Sequence, residues 1–131
     1  MEKGGAKVWY FPDGFLPEKV EDSSLEPHEA LMILNTSDKP AHIKLDIYFE
    51  DREPVKDIPI TVEGERCVCF RMDRPENIGG LEIPPLTQYG LRVRSDVSVV
   101  AQFARLDATQ PNLAYYVNIG YYESESRVQS K

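Results

Sequence analysis

The clearest pattern in the chain is an alternation of apolar and polar residues with a period of two. From position 41 the sequence reads Ala-His-Ile-Lys-Leu-Asp-Ile-Tyr-Phe-Glu. Successive side chains of an extended strand point to opposite faces. Ala41, Ile43, Leu45, Ile47 and Phe49 therefore share one face, and His42, Lys44, Asp46, Tyr48 and Glu50 share the other. This predicts a strand with one buried and one wet face. Residues 7–11, 58–63, 66–72, 88–95, 98–107 and 113–122 read as further strands with weaker alternation. Residues 29–35 hold the run Ala30-Leu31-Met32-Ile33-Leu34, which suits a strand buried on both faces or a short helix. No stretch carries the 3.6-residue period of a long amphipathic helix. The expectation is an all-β fold of about eight antiparallel strands, a count typical of sandwiches and jelly rolls.

The connectors carry turn chemistry. Pro12-Asp13-Gly14 combines a fixed φ with a residue free to take φ > 0, and so reads as a turn. Residues 35–40, Asn-Thr-Ser-Asp-Lys-Pro, read as a hairpin loop, and Glu63-Gly64-Glu65 as a tight separation between two strands. Asp96-Val97 and Thr109-Gln110-Pro111-Asn112 read as reversals. Residues 17–27 are acidic and poor in apolar side chains, and residues 73–85 are rich in Gly and Pro, so both read as long loops. Residues 123–131 lack apolar periodicity and are expected to form a mobile tail after a single domain over residues 1–122.

Composition narrows the function classes. The chain has 131 residues and a formal net charge of -7. That length fits one domain. The negative charge supports solubility and argues against nucleic acid as the main partner. The first residues lack the apolar core of a signal peptide, and no window approaches a membrane-spanning run. The expectation is a cytoplasmic protein with no direct membrane insertion. Cys67 and Cys69 would lie on one face of a strand, a poor geometry for a mutual disulfide, and read as free, buried or half-buried thiols.

A search for catalytic chemistry finds little. The two histidines, His28 and His42, show no metal-ligand spacing with the cysteines, so no metal and no cofactor is expected. There is no nucleophile elbow and no phosphate-cradling glycine loop. The chain reads as a non-enzyme. The most informative polar residues lie on the strand over 98–107. Gln102 interrupts the face made by Val100, Ala104 and Leu106, and once buried would need hydrogen-bond partners. Arg105 and Asp107 share the other face and could pair with each other or with a facing subunit. Aromatics crowd two places, Trp9 to Phe15 and Tyr115 to Tyr122. Adjacent tyrosines must point to opposite faces, so an oligomer that covers a second sheet face accommodates them, and exposed Trp or Tyr faces would also stack on sugar rings.

Several segments together carry a resemblance. They are Trp9-Tyr10-Phe11-Pro12-Asp13-Gly14-Phe15-Leu16-Pro17, His28-Glu29, Ile33-Leu34-Asn35, Ala41-His42-Ile43 and Ile47-Tyr48-Phe49-Glu50-Asp51-Arg52-Glu53-Pro54. Thr61-Val62, Arg66, Ser95-Asp96-Val97 and Val100 through Asp107 continue it. In their order and joint presence they resemble the family of soluble sensory rhodopsin transducers. The resemblance implies a cytoplasmic β-sandwich of jelly-roll type that assembles as a homotetramer and takes a signal from a retinal-bearing membrane photoreceptor. It also implies a sandwich similar to those of carbohydrate-binding proteins, so a small ligand is the alternative partner. With the residues above, it makes Trp9, Glu29, Asn35, Gln102, Arg105 and Asp107 the candidates for binding or interface contacts.

Overall fold

The computed structural model describes residues 4–19, 25–108 and 114–123. Among them are eight strands: β1 (Ala6–Phe15), β2 (His28–Asn35), β3 (Ala41–Phe49), β4 (Val55–Val62), β5 (Arg66–Arg71), β6 (Gln88–Asp107), β7 (Ala114–Asn118) and β8 (Tyr121–Glu123). Every pairing is antiparallel. The first sheet runs β4-β3-β6-β1-β8, and the second runs β5-β2-β6-β7. The all-β expectation holds, and residues 29–35 are strand rather than helix.

Strand β6 belongs to both sheets. Its first part pairs with β1 and β3, and its second with β2 and β7. Asp96-Val97 is therefore no reversal. The strand bends there while keeping its hydrogen bonds: the Val97 amide donates to Ser95 Oγ at 3.3 Å, and Asp96 Oδ1 accepts the His42 amide at 2.8 Å. Backbone approach at this crossing is close. A Cβ on Gly5 would sit 2.1 Å from the Val99 carbonyl oxygen, and Gly5 has φ +112°, so only glycine fits.

Two further turn assignments and one strand assignment change. Pro12-Asp13-Gly14 lies inside β1, where the register shifts between Phe11 and Gly14, so these residues make a bulge. Residues 35–40 are not a hairpin, because β2 and β3 lie in different sheets and the segment arches between them. The region over 113–122 is two strands, β7 and β8, one on each sheet. The loop over 73–85 is an apolar flap: it contains a 3-10 turn (Pro75–Asn77) and inserts Ile78 and Ile83 into the core. The turn at 109–112, part of the loop over 17–27 and the tail beyond Glu123 lie outside the described residues.

The core fills the space between the sheets. Ala41, Ile43, Leu45 and Ile47 of β3 are all at most 2% exposed, as the alternation predicts. They face Leu31 and Ile33 of β2 and Val99, Ala101 and Phe103 of β6 in one apolar cluster. Phe103 links the layers, with its ring 5.9 Å from Phe11 and 6.3 Å from Tyr89. Edge-to-face and tilted rings at these distances add to area burial.

Candidate functional site

Three of the residues singled out by sequence are interior. Trp9 is buried, its indole N–H donates to the carbonyls of Ala6 at 3.1 Å and Val99 at 3.0 Å, and its ring packs on Tyr122. Position 9 is core-facing by parity, so the ring is not an open platform for a sugar. Asn35 ties two sheet-crossing loops together. Its amide donates to the carbonyls of Lys39, Val62 and Glu63, and its oxygen accepts from the Ser37 amide and hydroxyl. Glu29 is wholly buried at one end of the sandwich.

Glu29 and Arg105 are brought together, opposite each other in the β2–β6 register. The Glu29 carboxylate accepts the Phe15 amide at 3.0 Å, the Tyr89 hydroxyl at 2.6 Å and Arg105 Nε at 2.8 Å. Arg105 also donates to the Asp13 carbonyl at 3.0 Å. Burial works against the Arg105 charge, but the bond to Glu29 and the nearby Asp13 outweigh it and raise its pKa. Burial, followed by the Glu29 charge and hydrogen bond, pushes the Tyr89 phenol well above its ordinary value and keeps it neutral. The carboxylate is fully engaged, so the cluster pins β1, β2 and β6 together and offers no open valence to a ligand.

Gln102 is exposed, contrary to its expected burial, because its face of the second sheet is uncovered. Asp107 ends β6 opposite Ala114 of β7. Cys67 and Cys69 are exposed on that same second sheet rather than buried.

The outer face of the second sheet is apolar around Leu34 and Val100 and carries Arg71 and His28 toward its other end. Register places Cys67, Leu34 and Val100 in one row, Cys69, Met32 and Gln102 in the next, and Arg71, Ala30, Ala104 and Val117 in a third, where Ala30 and Ala104 are buried. Leu106 and Tyr115 extend it. Leu34 is 39% exposed, Val100 40%, Val117 45% and Tyr115 61%. Four strands with these rows span on the order of 400 Å², within the size range of the largest bare apolar patch of a soluble domain, which is often a contact surface.

The outer face of the first sheet differs. Asp46, on the face of β3 expected to be wet, is wholly buried beneath Arg92 and Arg94 of β6. It accepts Arg92 Nε at 2.8 Å, Arg94 at 2.8 and 2.9 Å and the Asp57 amide at 2.9 Å. Burial pushes the Asp46 carboxyl up, but Arg94, the Asp57 amide and Arg92 overcome it and hold the group well below the usual carboxylate range. Sequence alone missed this site. The available signal was the pair Arg92 and Arg94, two apart and hence on one face, next to a lone Asp.

Beside this cluster lies a cleft of about 420 Å³, lined by Tyr10, Tyr48, Tyr121, Gln88 and Glu50 among others, with Gly90 at its floor. Gly90 is opposite Tyr48 on β3, and Arg92, two residues on, is opposite Tyr10, which itself pairs with Tyr121. The Tyr10 and Tyr121 rings are 6.0 Å apart. Arg92 and Lys56 lie over the Tyr48 ring at 5.7 and 5.8 Å. The Tyr10 hydroxyl donates to Glu123, and that bond, then burial, raises its pKa.

The fold defines the class: a small antiparallel β-sandwich with two open sheet faces of opposite chemistry. The family follows from comparison with known proteins. The family model for the Anabaena sensory rhodopsin transducer matches residues 4–122, and the chain belongs to that family. The crystal structure of Thermotoga maritima 1070 is similar, with 34% identity, a TM-score of 0.82, and coverage of 93% of this chain and 98% of that one. The Anabaena sensory rhodopsin transducer itself superposes with a TM-score of 0.68 at 30% identity, covering 80% of this chain and 91% of that one. No curated protein matches. The chain is thus transducer-like and signalling-related, and no helix among the described residues is long and apolar enough to cross a membrane.

Proposed function

We propose that the chain is a non-enzymatic signalling adaptor of the cytoplasm that works as a homo-oligomer, a tetramer by family pattern, and docks on a retinal-bearing membrane receptor. The observation that carries the oligomer is the apolar outer face of the second sheet. Leu34, Val100 and Val117, exposed on three neighbouring strands beside Met32, are unfavourable in water and self-complementary across a two-fold axis. Family membership supports the receptor partner. Sedimentation or light scattering of the full chain at micromolar concentration tests the assembly. The expected result is an oligomer for the natural sequence and a folded monomer for the double variant Leu34→Glu, Val100→Glu. A monomer for the natural sequence sinks the proposal.

A second reading, a small-ligand binding module, is favoured by the tyrosine-walled cleft on the opposite face. It is of ligand size, largely apolar, and carries a few polar groups, the build common to small-molecule sites. The two readings use different sheet faces and do not exclude each other.

A further inference from the structure

Cysteine is among the residue types most often buried, yet Cys67 and Cys69 are both exposed. They are the outward positions of β5, while Val68 between them packs against the core. Among the described strands β5 pairs with β2 alone, so it is the free edge of the second sheet. Register sets Cys69 opposite Met32 of β2 and Cys67 opposite Leu34. Met32 is half-buried and lies diagonally across from Cys67. Two thiols and one thioether therefore share one stretch of open sheet. The third sulfur comes from the register, and spacing along the chain does not reveal it.

Geometry separates what the thiol pair can do from what it cannot. Residues two apart on a strand are about 6.7 Å apart, whereas a disulfide needs Cβ atoms about 3.8 Å apart. The two thiols cannot close on each other without disturbing the β2–β5 ladder. A bridging ion asks for less, because two metal–sulfur bonds of about 2.3 Å in line hold the sulfurs about 4.6 Å apart. Strand side chains lean along the strand direction, so rotation about each χ1 closes that gap with the backbone in place. Directly opposed residues have Cβ atoms about 5 Å apart, within reach of the flexible Met32 side chain.

The donor set selects the ion. Among the described residues, no three His, Cys, Asp or Glu side chains come together to hold a metal. His28 is four residues along β2 from Met32, about 13 Å away, and His42 belongs to the first sheet. Calcium and magnesium ask for several oxygens, and structural zinc for four nitrogen, sulfur or oxygen ligands. Two thiolates and a thioether instead suit a soft monovalent ion that two or three sulfurs satisfy, and cuprous copper is the biological case.

We propose that Cys67, Cys69 and Met32 form a surface site for one cuprous ion per chain, with the two thiolates as principal ligands and the thioether as the third. Binding releases both thiol protons to solvent, so affinity rises with pH. Copper stays monovalent throughout, and no oxidant or reductant is consumed. The site rests on neither the adaptor nor the cleft reading, and it lies at the margin of the Leu34–Val100 contact proposed above.

The test is an anaerobic titration of the full chain with Cu(I) against a chromogenic Cu(I) chelator, repeated with Ag(I) as a redox-inert ion of similar softness. One equivalent per chain is expected, with thiolate-to-copper charge-transfer absorption in the ultraviolet. Cys67→Ser and Cys69→Ser are each expected to weaken binding by roughly a hundredfold or more, and Met32→Leu, which keeps the volume and removes the sulfur, by roughly tenfold. All three positions lie outside the core, and circular dichroism checks that each variant is folded. His28→Gln and His42→Gln leave binding unchanged. Binding that persists in the double serine variant, or that is lost with either histidine, overturns the site. Zinc bound as tightly as copper overturns the choice of ion, and full affinity in Met32→Leu overturns the three-sulfur arrangement. A natural chain that takes no Cu(I) from the chelator overturns the proposal outright.

Discussion

At position 90 a single missing side chain separates stability from access. In a strand whose backbone is extended, replacing glycine by alanine restricts the unfolded chain and adds packing without strain. The Cβ contacts at Gly90 are ordinary ones. Gly90→Ala is therefore expected to stabilise the fold by about 0.5–1 kcal/mol, read as a higher urea midpoint with an unchanged slope. A loss of stability would mean that the close backbone of Phe11 and Pro12 requires glycine, and that its absence of side chain serves packing. Gly5 is the contrasting case. Its φ and the Val99 carbonyl leave no room for a Cβ, so substitution there strains the crossing of β6 between the sheets. Both read alike in the sequence. The difference lies in what stands opposite, which a single chain position does not encode.

At the scale of elements, the sequence shows which face of a strand is buried better than it shows where strands begin, turn or pair. In β6 the odd positions Tyr89, Leu91, Val93, Ser95, Val99, Ala101 and Phe103 are all buried, and the parity never breaks across Asp96-Val97. A true reversal has no reason to preserve parity, so one long strand was legible in the pattern, although the polar Ser95-Asp96 pair masks it. The arch over 35–40 was less legible. Turn residues mark a change of direction, but they do not say whether the chain returns to its own sheet or crosses to the other. Asn35 decides it by bonding to β4's end as well as its own loop. Of the candidate residues, Glu29 and Arg105 proved to be partners because they share a register, and Trp9 proved interior because odd positions of β1 near it face the core. Asn35→Ala leaves three carbonyls and the Ser37 amide without this partner, partly in reach of water. It is expected to cost about 2–4 kcal/mol, measurable by thermal or urea unfolding, while Ser37→Ala, which touches only one edge of the network, costs less than half of that.

For the whole molecule, the two outer faces sort the forces that act on it. The apolar face answers to concentration and mutation, the charged face to pH. Asp46 holds β3 to β6 through Arg92 and Arg94, and Asp73 pairs with Arg71 on the other sheet. Burial raises the Asp73 carboxyl, but the Arg71 hydrogen bond and charge overcome it, so both carboxyls lie below their ordinary values in the folded chain. The unfolded chain then takes up protons first as pH falls. Stability contributed by these groups is intact above the ordinary aspartate pKa of about 3.9 and is lost progressively below it, down through the lower folded-state values. Urea midpoints measured from pH 7 to pH 2 are expected to hold through mild acid and fall steeply below about pH 4. Asp46→Asn removes one of the two groups. Its midpoint is expected to be lower at pH 7, because Arg92 and Arg94 lose their carboxylate, and its fall with acid shallower than that of the natural sequence. Carrying out the series on a Leu34→Lys, Val100→Lys background, which stays charged from pH 7 to pH 2, separates acid unfolding from dissociation, since a monomer has no assembly left to lose. Parallel pH curves for Asp46→Asn and its parent would show that the Asp46 cluster, though buried, does not govern the acid limb.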